Sequence, residues 1–315
     1  MVKPYTLNSK TSNFKTMKII IAGGTGFLGE NLEKFFTEKG NQVYILTRNP
    51  KRKNEIYWDA QTIGEWKNSL EKADVLINLT GKSVDCRYHE KNKNEIYSSR
   101  IDSTRVLQKA VDLCSEKPEV WLNASSATIY VHSEKHINTE ENGVIGDDFS
   151  MNICKSWEKE FFKVRNEGIR KVALRTSIVL GKNGGAFPKL KMITKLGLGG
   201  KQGRGNQMVS WIHIEDFCKA VEWIIQNETI SGTINITAPE PVSNENMMKK
   251  LRNKMKMPFG LNAPVWQLEI ASIFLNTETE LLLKSRNVYP ERLIKNGFQF
   301  SYPGFEKAIL NLLES

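Results

Sequence analysis

Three glycines recur at intervals of three residues near the start of the chain, as Gly23, Gly26 and Gly29. In a turn of this kind, the first glycine makes a tight bend and the second lets the backbone approach a pyrophosphate. The third lets a helix pack closely on a strand. The free N–H groups and the dipole at the start of that helix favour negative charge. We therefore predict that the turn, with Phe27 and Leu28 inside it, binds a dinucleotide.

Arg48 stands at the end of the apolar run 42–47, where a dinucleotide site distinguishes between its two common cofactors. NAD sites usually place an acidic residue there, which binds the ribose 2′-hydroxyl. Residues 49–53, NPKRK, contain no acid, and a guanidinium can pair bidentately with a 2′-phosphate and stack on the adenine. We therefore predict NADP(H) as the cofactor, with NAD(H) disfavoured. The alternative is that Arg48 is only a solvated loop residue.

The apolar residues around this turn predict alternating strands and helices. The run 18–22 suits a strand buried on both faces, and 28–39 has a helical spacing that ends at Gly40. The alternation continues to about residue 178, which is typical of a doubly wound parallel sheet. Further strands are predicted at 42–47, 74–79, 120–125 and 171–176, and further helices at 96–114 and 150–167.

The pattern changes after residue 178, because glycines at 184–185 and 196–200 indicate loops. A helix is predicted at 216–226, and a strand at 233–237 that would return to the main sheet. The predicted fold class is α/β, a Rossmann-type doubly wound parallel sheet with a smaller, mostly helical C-terminal substrate domain. The predicted parts are a disordered extension (1–16), a dinucleotide-binding domain (17–178 with 211–238) and a substrate domain (179–210 with 239–315).

The composition limits the classes of partner. The 315 residues carry a formal net charge of +10, spread along the chain among acidic residues. A solvated surface, an anionic small ligand and nucleic acid would each explain this charge, and the interspersed pattern favours the first. The four cysteines, Cys86, Cys114, Cys154 and Cys218, lack zinc or C-x-x-C spacing, so no metal site is predicted.

Residues 1–16 are polar and have no apolar core of a secretory signal. No apolar run in the chain approaches the roughly 20 residues that cross a bilayer. We therefore expect a cytoplasmic protein with a small polar substrate and neither a nucleic-acid nor a membrane partner. A homodimer is left open.

A second motif, Asn78-Leu79-Thr80-Gly81, comes at the end of the predicted strand 74–79. Together with the glycine turn it resembles the extended short-chain dehydrogenase/reductase superfamily, in which this motif lies beside the cofactor. The segment 125–130, SSATIY, is similar to a segment of UDP-galactose 4-epimerase-like enzymes. The resemblance implies that residues 78–81 contact the dinucleotide. Arg100, on a helix that could face the cofactor, is a further candidate contact.

Four runs in the C-terminal half narrow the resemblance. Together they look like the atypical group called "epimerase family protein", which is similar to NAD-dependent nucleoside-diphosphate-sugar epimerases. The resemblance extends over about residues 17–315, in order and without large gaps. The four runs are LRTSIVLGKNGGAF (174–187), LGLGGKQGRGNQMVSWIHIED (196–216), ITAPEPVSNENM (236–247) and VYPERLIKNGFQFSYP (288–303).

Hydride chemistry in this superfamily needs a proton donor or acceptor at the substrate oxygen. The usual device is Tyr-x-x-x-Lys on one helix, in which the ammonium lowers the pKa of the Tyr, with a Ser on the preceding strand. Ser126 fits the Ser role and Lys155 the Lys role, but Met151 stands where Tyr is expected. An alternative register, one residue earlier, puts Ser150 and Cys154 at the two positions. Neither register supplies a tyrosine.

Other side chains are candidates for the missing group. Tyr130, four residues after Ser126, is the nearest phenol, although an aromatic there also serves to cover the cofactor or fill a domain interface. His213 could act as an acid or base near neutral pH, but its motif is also common as a structural strand. Arg175 ends a core strand, where a buried and paired arginine is usual. Cys154 is predicted to be a buried helix residue, because nothing nearby lowers its thiol pKa.

Two functions remain open at this point. One is an NADP(H)-dependent oxidoreductase or epimerase with a degenerate active site, which acts on a polar or nucleotide-sugar substrate through Ser126, Tyr130 and Lys155. The other is a non-catalytic NADP(H)-binding sensor or scaffold. The complete C-terminal motifs favour the first function, and the broken Tyr-x-x-x-Lys favours the second.

Overall fold

The computed structural model describes residues 15–274, 278 and 280–314, so the predicted extension lies outside the described residues except for its last two. The strands are β1 (Lys18–Ala22), β2 (Gln42–Thr47), β3 (Glu55–Tyr57), β4 (Val75–Asn78), β5 (Val120–Ser126), β6 (Arg170–Thr176), β7 (Ile178–Gly181), β8 (Gly184–Gly185), β9 (Met208–Val209), β10 (Trp211–His213), β11 (Gly232–Ile236) and β12 (Val242–Ser243). The helices are α1 (Phe27–Glu38), α2 (Glu90–Asp112), α3 (Phe149–Lys163), α4 (Phe187–Ile193), α5 (Ile214–Gln226), α6 (Asn244–Lys254), α7 (Val265–Phe274), α8 (Glu280–Leu283), α9 (Glu291–Lys295) and α10 (Phe305–Glu314).

Seven strands form one sheet in the order β11-β6-β5-β4-β1-β2-β3, and every neighbouring pair in it is parallel. The predicted α/β fold with a Rossmann-type sheet is thereby confirmed. The strand order reverses at β1, which lies between β2 and β4. Open α/β sheets bind ligands outside the carboxyl ends of the strands at such a reversal. A site is therefore expected at the turn after β1 and the ends of β2 and β4.

Buried apolar side chains on both faces of this sheet form its core, because successive residues of a strand point to opposite faces. Ile19 and Ile21 of β1 are fully buried on one face, in a cluster that includes Phe36 of α1. Ile20 is fully buried on the other face, in a cluster that includes Leu107 of α2. Each crossover helix is held to the sheet by its apolar stripe.

The rest of the chain adds two small sheets and a third apolar cluster. Strands β10, β7 and β8 form a three-stranded sheet, and β12 pairs with β9. The third cluster gathers Trp211 of β10, Phe187 of α4, Met248 of α6 and Ile309 of α10. The strand predicted at 233–237 is present as β11, which extends the main sheet beside β6.

Local contacts set the ends of the long helices, and these ends differ from the predicted ones. Helix α2 begins at Glu90, six residues before its predicted start, because His89 Nδ1 accepts the backbone N–H of Asn92 at 3.4 Å. Helix α3 ends at Lys163, four residues before its predicted end, where Val164 turns to extended backbone. Strand β3 was not predicted, since three residues are too few to show a period.

A buried ion pair joins α3 to β6. The Nε and Nη2 atoms of Arg175 each donate at 2.8 Å to one oxygen of Glu158, and Ser125 Oγ of β5 donates to the same carboxylate at 2.6 Å. The remaining Arg175 nitrogen, Nη1, donates to the Tyr130 hydroxyl at 2.8 Å. Both charges are thus bidentate and fully hydrogen-bonded, which buried charges require.

Arg175→Met should lower the free energy of unfolding by about 3–5 kcal/mol, because it leaves the Glu158 carboxylate buried without its partner. Urea denaturation measures this loss. Arg105→Met is the matched control: Arg105 forms exposed pairs with Asp102 and Glu160, and its loss should cost about 1 kcal/mol or less. Equal losses for the two variants would contradict the structural role of the buried pair.

Candidate cofactor and substrate site

Two of the three glycines of the turn, Gly23 and Gly29, are required by close contacts with the backbone around them. Gly23 has a φ of 71°, and a Cβ added to it would lie 2.8 Å from Thr80 Oγ1. A Cβ on Gly29 would lie 2.3 Å from the carbonyl oxygen of Gly24. Gly26, by contrast, has no protein atom within 4 Å of the place where a Cβ would be. The open side of the turn is therefore at Gly26, where a ligand could approach the backbone.

A cavity of about 700 Å³ opens at this point of the sheet. Its walls include the glycine turn after β1, Arg48 after β2 and residues 79–81 after β4, so it lies where the strand order reverses. The lining residues are Gly23, Thr25, Gly26, Leu46, Thr47, Arg48, Trp58, Asp59, Ala60, Gln61, Leu79, Thr80, Gly81, Lys82, Ser83, Glu95, Ser98, Ser99 and Asp102. This volume is within the usual range of ligand pockets, about 300–1,000 Å³.

The start of α1 points free donors at the cavity. The helix has Gly26 as its N-cap, and no side chain caps it. The first N–H groups of a helix have no partner within it, so those of Phe27 and Leu28 are available to an anion. Their side chains are not: the Phe27 ring packs against the glycines of β7 and β8, and Leu28 packs on the core. Only the backbone of these two residues can serve the predicted role.

Asn78, the last residue of β4, positions the loop that follows this strand. Its fully buried side chain donates to Asn123 Oδ1 at 2.7 Å and accepts the N–H of Thr80 at 3.0 Å. Leu79, Thr80 and Gly81 then line the cavity, whereas Asn78 does not. Asn78 therefore positions the motif that forms the wall.

Arg48 is exposed at the rim of the cavity and has no carboxylate partner among the described residues. Arg52, in the same basic run, is instead paired with Glu33 and Glu55. Of these two arginines, Arg48 is thus the one whose guanidinium is available to bind a ligand. The neighbouring wall, residues 58–61, was not predicted from the sequence, because the strand before it is too short to show a pattern.

The three predicted catalytic side chains are not brought together. Ser126 Oγ, at the end of β5, donates to Thr128 Oγ1 at 2.9 Å. Lys155 lies on the outer side of α3 and pairs with the exposed Asp147. Tyr130 is fully buried, and its hydroxyl donates to Asn235 Oδ1 at 2.9 Å while it accepts from Arg175. This placement matches the alternative role of Tyr130, an aromatic that fills an interior interface.

The buried face of α3 carries Ser150, Met151 and Cys154. Ser150 Oγ donates to Glu280 at 2.6 Å, and Met151 packs against Gly146. Burial raises the pKa of Cys154 to about 12, although the Arg100 guanidinium opposes the shift. A thiol with this pKa is not a useful base at neutral pH. In the alternative register, Ser150 and Cys154 stand at the Tyr and Lys positions, and both are buried. In the first register Met151 is buried, but Lys155 is not.

The side chains of His213 and Arg100 both form hydrogen bonds with the backbone of the protein. Burial lowers the pKa of His213, whose Nδ1 accepts the N–H of Glu215 as the N-cap of α5. Arg100 Nη1 donates to the carbonyls of Lys82 and Ile96, and its guanidinium lies 5.0 Å from the ring centre of Trp157. Arg100 does not line the cavity, but it lies directly behind Gly81 of the cavity wall.

Residues 19–237 match the model of the NAD dependent epimerase/dehydratase family. The chain belongs to this family. Residues 263–312 of this epimerase-family chain also match a domain of unknown function. The chain is 36% identical over 302 residues to the epimerase family protein YfhF of Bacillus subtilis, which covers 94% of this chain and 98% of that protein. The predicted resemblance to the epimerase family proteins is thereby confirmed.

Solved structures of relatives have the same fold. Human epimerase family protein SDR39U1, crystallised with NADPH, matches with a TM-score of 0.86 and 27% identity, over 95% of this chain and all of that one. A nucleoside-diphosphate sugar epimerase of Corynebacterium glutamicum matches with a TM-score of 0.78 and 28% identity, over 95% of this chain and 58% of that one. In the described part of this epimerase-family chain, no helix is long and apolar enough to span a membrane.

Two glycine variants separate the binding role of the turn from its folding role. Gly26→Val should abolish NADPH binding with thermal unfolding nearly unchanged, because its side chain enters the open side of the turn and not the protein. Gly29→Ala should lower the unfolding temperature, because its Cβ meets the backbone of Gly24. Fluorescence titration and thermal unfolding measure the two effects. Unchanged NADPH affinity in a well-folded Gly26→Val protein would show that the turn is only structural.

Proposed function

We propose that this member of the epimerase/dehydratase family binds NADP(H) in the cavity at the strand reversal. One observation carries the proposal: Arg48 is exposed, has no carboxylate partner among the described residues, and stands at the rim of a cavity that also contains the uncapped start of α1. The helix start suits the pyrophosphate and the guanidinium suits the 2′-phosphate. The NADPH in the crystals of the human relative agrees with this assignment.

We further propose that the protein is an oxidoreductase or epimerase that acts on a small polar substrate, of which a nucleotide sugar is the class suggested by its relatives. When bound, the nicotinamide would supply or accept a hydride. Ser126, at the carboxyl end of β5, would hold the substrate hydroxyl. The superfamily's Tyr-x-x-x-Lys pair is absent, and acid–base assistance of this kind is typically worth about 10²–10⁴ in rate. Turnover should therefore be slow compared with that of complete dehydrogenases.

A non-catalytic NADP(H)-binding sensor or scaffold is the second candidate. Two contacts favour it. The Tyr130 hydroxyl is hydrogen-bonded to Arg175 and Asn235, and the Lys155 ammonium is paired with Asp147. A protein that only reports cofactor binding needs the cavity but no proton donor. The two candidates share the cofactor site and differ only in whether NADPH is consumed.

The cofactor preference tests the proposed role of Arg48. NADPH should bind at least about tenfold more tightly than NADH, which is about 1.4 kcal/mol. Arg48→Asp should erase or reverse this preference, because it repels a 2′-phosphate and offers a ribose ligand. Lys53→Asp makes the same charge change at an exposed position outside the cavity and should keep the preference. Equal affinities of the wild type for both cofactors would contradict the assignment.

NADPH oxidation with a panel of sugar nucleotides and small carbonyls distinguishes the enzyme from the sensor. We expect slow turnover that survives Tyr130→Phe, because the Tyr130 hydroxyl is held between Arg175 and Asn235. The same variant should lose about 1–3 kcal/mol of stability, since it leaves buried polar groups unpaired. Complete loss of oxidation with unchanged NADPH affinity would instead make Tyr130 the proton donor. No oxidation of NADPH by the wild type with any substrate would favour the sensor.

A further inference from the structure

The net charge of the chain comes from two segments, 186–209 and 246–268. Each contains five lysines or arginines and no aspartate or glutamate. Their ten basic residues equal the formal net charge of the whole chain, +10, so basic and acidic residues are balanced in the remainder. Basic residues are thus spread along the chain, but their excess over acidic residues lies in these two segments.

The two segments lie side by side in the structure. The N–H of Leu261 donates to the carbonyl of Gly197 at 2.8 Å, and the N–H of Gly200 donates to the carbonyl of Leu261 at 3.1 Å. The Phe259 ring lies against the same turn, because a Cβ on Gly197 would be 3.0 Å from Phe259 Cε2. The excess positive charge is therefore brought to one region of the molecule.

Large apolar side chains are exposed in the same region. Eight of the seventeen that are exposed among the described residues belong to these segments, continued to Ile270. Met192 and Leu196 lie four residues apart on α4 and the helical turn after it, and Trp266 and Ile270 lie four residues apart on α7. Side chains at this spacing share one face of a helix. We call the exposed side chains of the two segments, continued to Ile270, the basic apolar surface.

Positive charges at the basic apolar surface are available to a partner. Lys191, Lys195 and Lys256 form no ion pair with any carboxylate that the structure describes, and Glu269 is the one acidic residue of this stretch of sequence. A lysine can lay its methylene groups along apolar neighbours and keep its ammonium group outward. The surface thus combines apolar side chains with unpaired ammonium groups. Exposed apolar patches with a polar rim mark sites of interaction with proteins or membranes.

Like charge disfavours two occupants that the chain itself could supply. A second copy that used the same face would set one basic surface against another, and like charges across an interface are costly. Residues 1–14 contain Lys3 and Lys10 and no acid, so this segment has the same sign of charge as the surface. The partner should therefore be negatively charged.

The aliphatic side chains distinguish among negatively charged partners. Nucleic acid stacks its bases on aromatic rings, and Met192, Leu196 and Ile270 offer none. Recognition of an amphipathic helix uses an apolar groove, but the cavities at the strand reversal and beside α2 are lined by other residues. Hydrocarbon accepts aliphatic and aromatic side chains alike and requires no matching shape.

We infer that the basic apolar surface binds a membrane that contains anionic lipids, without spanning it. Binding at a membrane surface uses Trp, Phe and Leu beside basic residues, and tryptophan favours the level of the head groups. Anionic head groups attract each lysine held near them. The inference goes beyond the proposed function and does not depend on the cofactor cavity. It replaces the expectation of no membrane partner, which rested on the lack of an apolar run long enough to cross a bilayer.

Co-sedimentation of the full-length chain with vesicles tests the electrostatic part of the inference. Vesicles of phosphatidylcholine with about one third phosphatidylglycerol should bind the chain at least about tenfold more tightly than pure phosphatidylcholine, and high salt should weaken this binding. Lys195→Gln together with Lys256→Gln should weaken it at least about tenfold at low salt, because both lysines lose their attraction to anionic head groups. Lys159→Gln together with Lys163→Gln, at exposed positions of α3, is the matched control and should leave it unchanged.

The apolar part has its own pair of variants. Leu196→Ser should weaken binding to the mixed vesicles at least about fivefold, because it removes an apolar side chain from the contact. Leu113→Ser is the same substitution at the end of α2, where the leucine is 60% exposed compared with 68% for Leu196, and should have no effect. Thermal unfolding should be nearly the same for all variants, since the substituted side chains are exposed.

Trp266 supplies a spectroscopic measurement. The structure describes all seven tryptophans, and Trp266 is the exposed one, whereas the other six are buried or half-buried. Mixed vesicles should therefore shift the tryptophan emission to shorter wavelength. Trp266→Phe should remove this shift and keep the binding, because phenylalanine also enters the interface.

Several outcomes would overturn the inference. They include equal binding to the two kinds of vesicle and equal binding by the wild type and the Lys195→Gln, Lys256→Gln variant. A dimer that Leu196→Ser dissociates, or tight binding of double-stranded DNA or RNA, each without vesicle binding, would assign the surface to another partner and also overturn it. NADPH affinity should be the same in every variant, so a failure of the proposed function is measured separately.

Discussion

Close approach of bare backbone at the first turn is the constraint on which the nucleotide end of this protein depends. A side chain at Gly29 would meet the carbonyl of Gly24 at 2.3 Å, and one at Gly23 would meet Thr80 at 2.8 Å. These contacts bring the end of β1, the start of α1 and the loop after β4 together. They also leave α1 without a side-chain cap. Its first N–H groups therefore face the cavity, where an anion can take the place of the cap.

A second constraint, the buried pair of Arg175 and Glu158, organises the other end of the site. It fixes α3 against β5 and β6, and it occupies the hydroxyl of Tyr130. The side-chain nitrogens of Arg175 donate to Glu158 and Tyr130, whereas Arg286 Nε is buried with no hydrogen-bond partner among the described residues. Loss of Arg175 is therefore expected to destabilise the fold, because breaking a buried ion pair leaves the other charge buried without its partner.

The sequence by itself determined the architecture and the nucleotide end of the site. Alternating strand and helix periods indicate a doubly wound sheet, and three glycines at this spacing are typical of a turn that packs closely on one side and is open to a pyrophosphate on the other. Arg48 could be predicted as a cofactor contact because it directly follows a strand whose end is set by the fold. Such features depend on residues close together along the chain, so a local pattern is enough to predict them. The lack of a tyrosine in α3 was equally visible, since it needs only a count along the sequence.

Only the tertiary structure decided which side chains meet around the missing tyrosine. It turned Ser150 and Cys154 inward and Lys155 outward, because the contacts of the whole α3 helix, and not one spacing, set its rotation. It brought the backbone N–H of Tyr88 to the carboxylate of Glu278, 190 residues later in the chain. Contacts between such distant segments depend on how several elements pack at once. No period along the chain records that packing, and for this reason the sequence patterns did not predict these contacts.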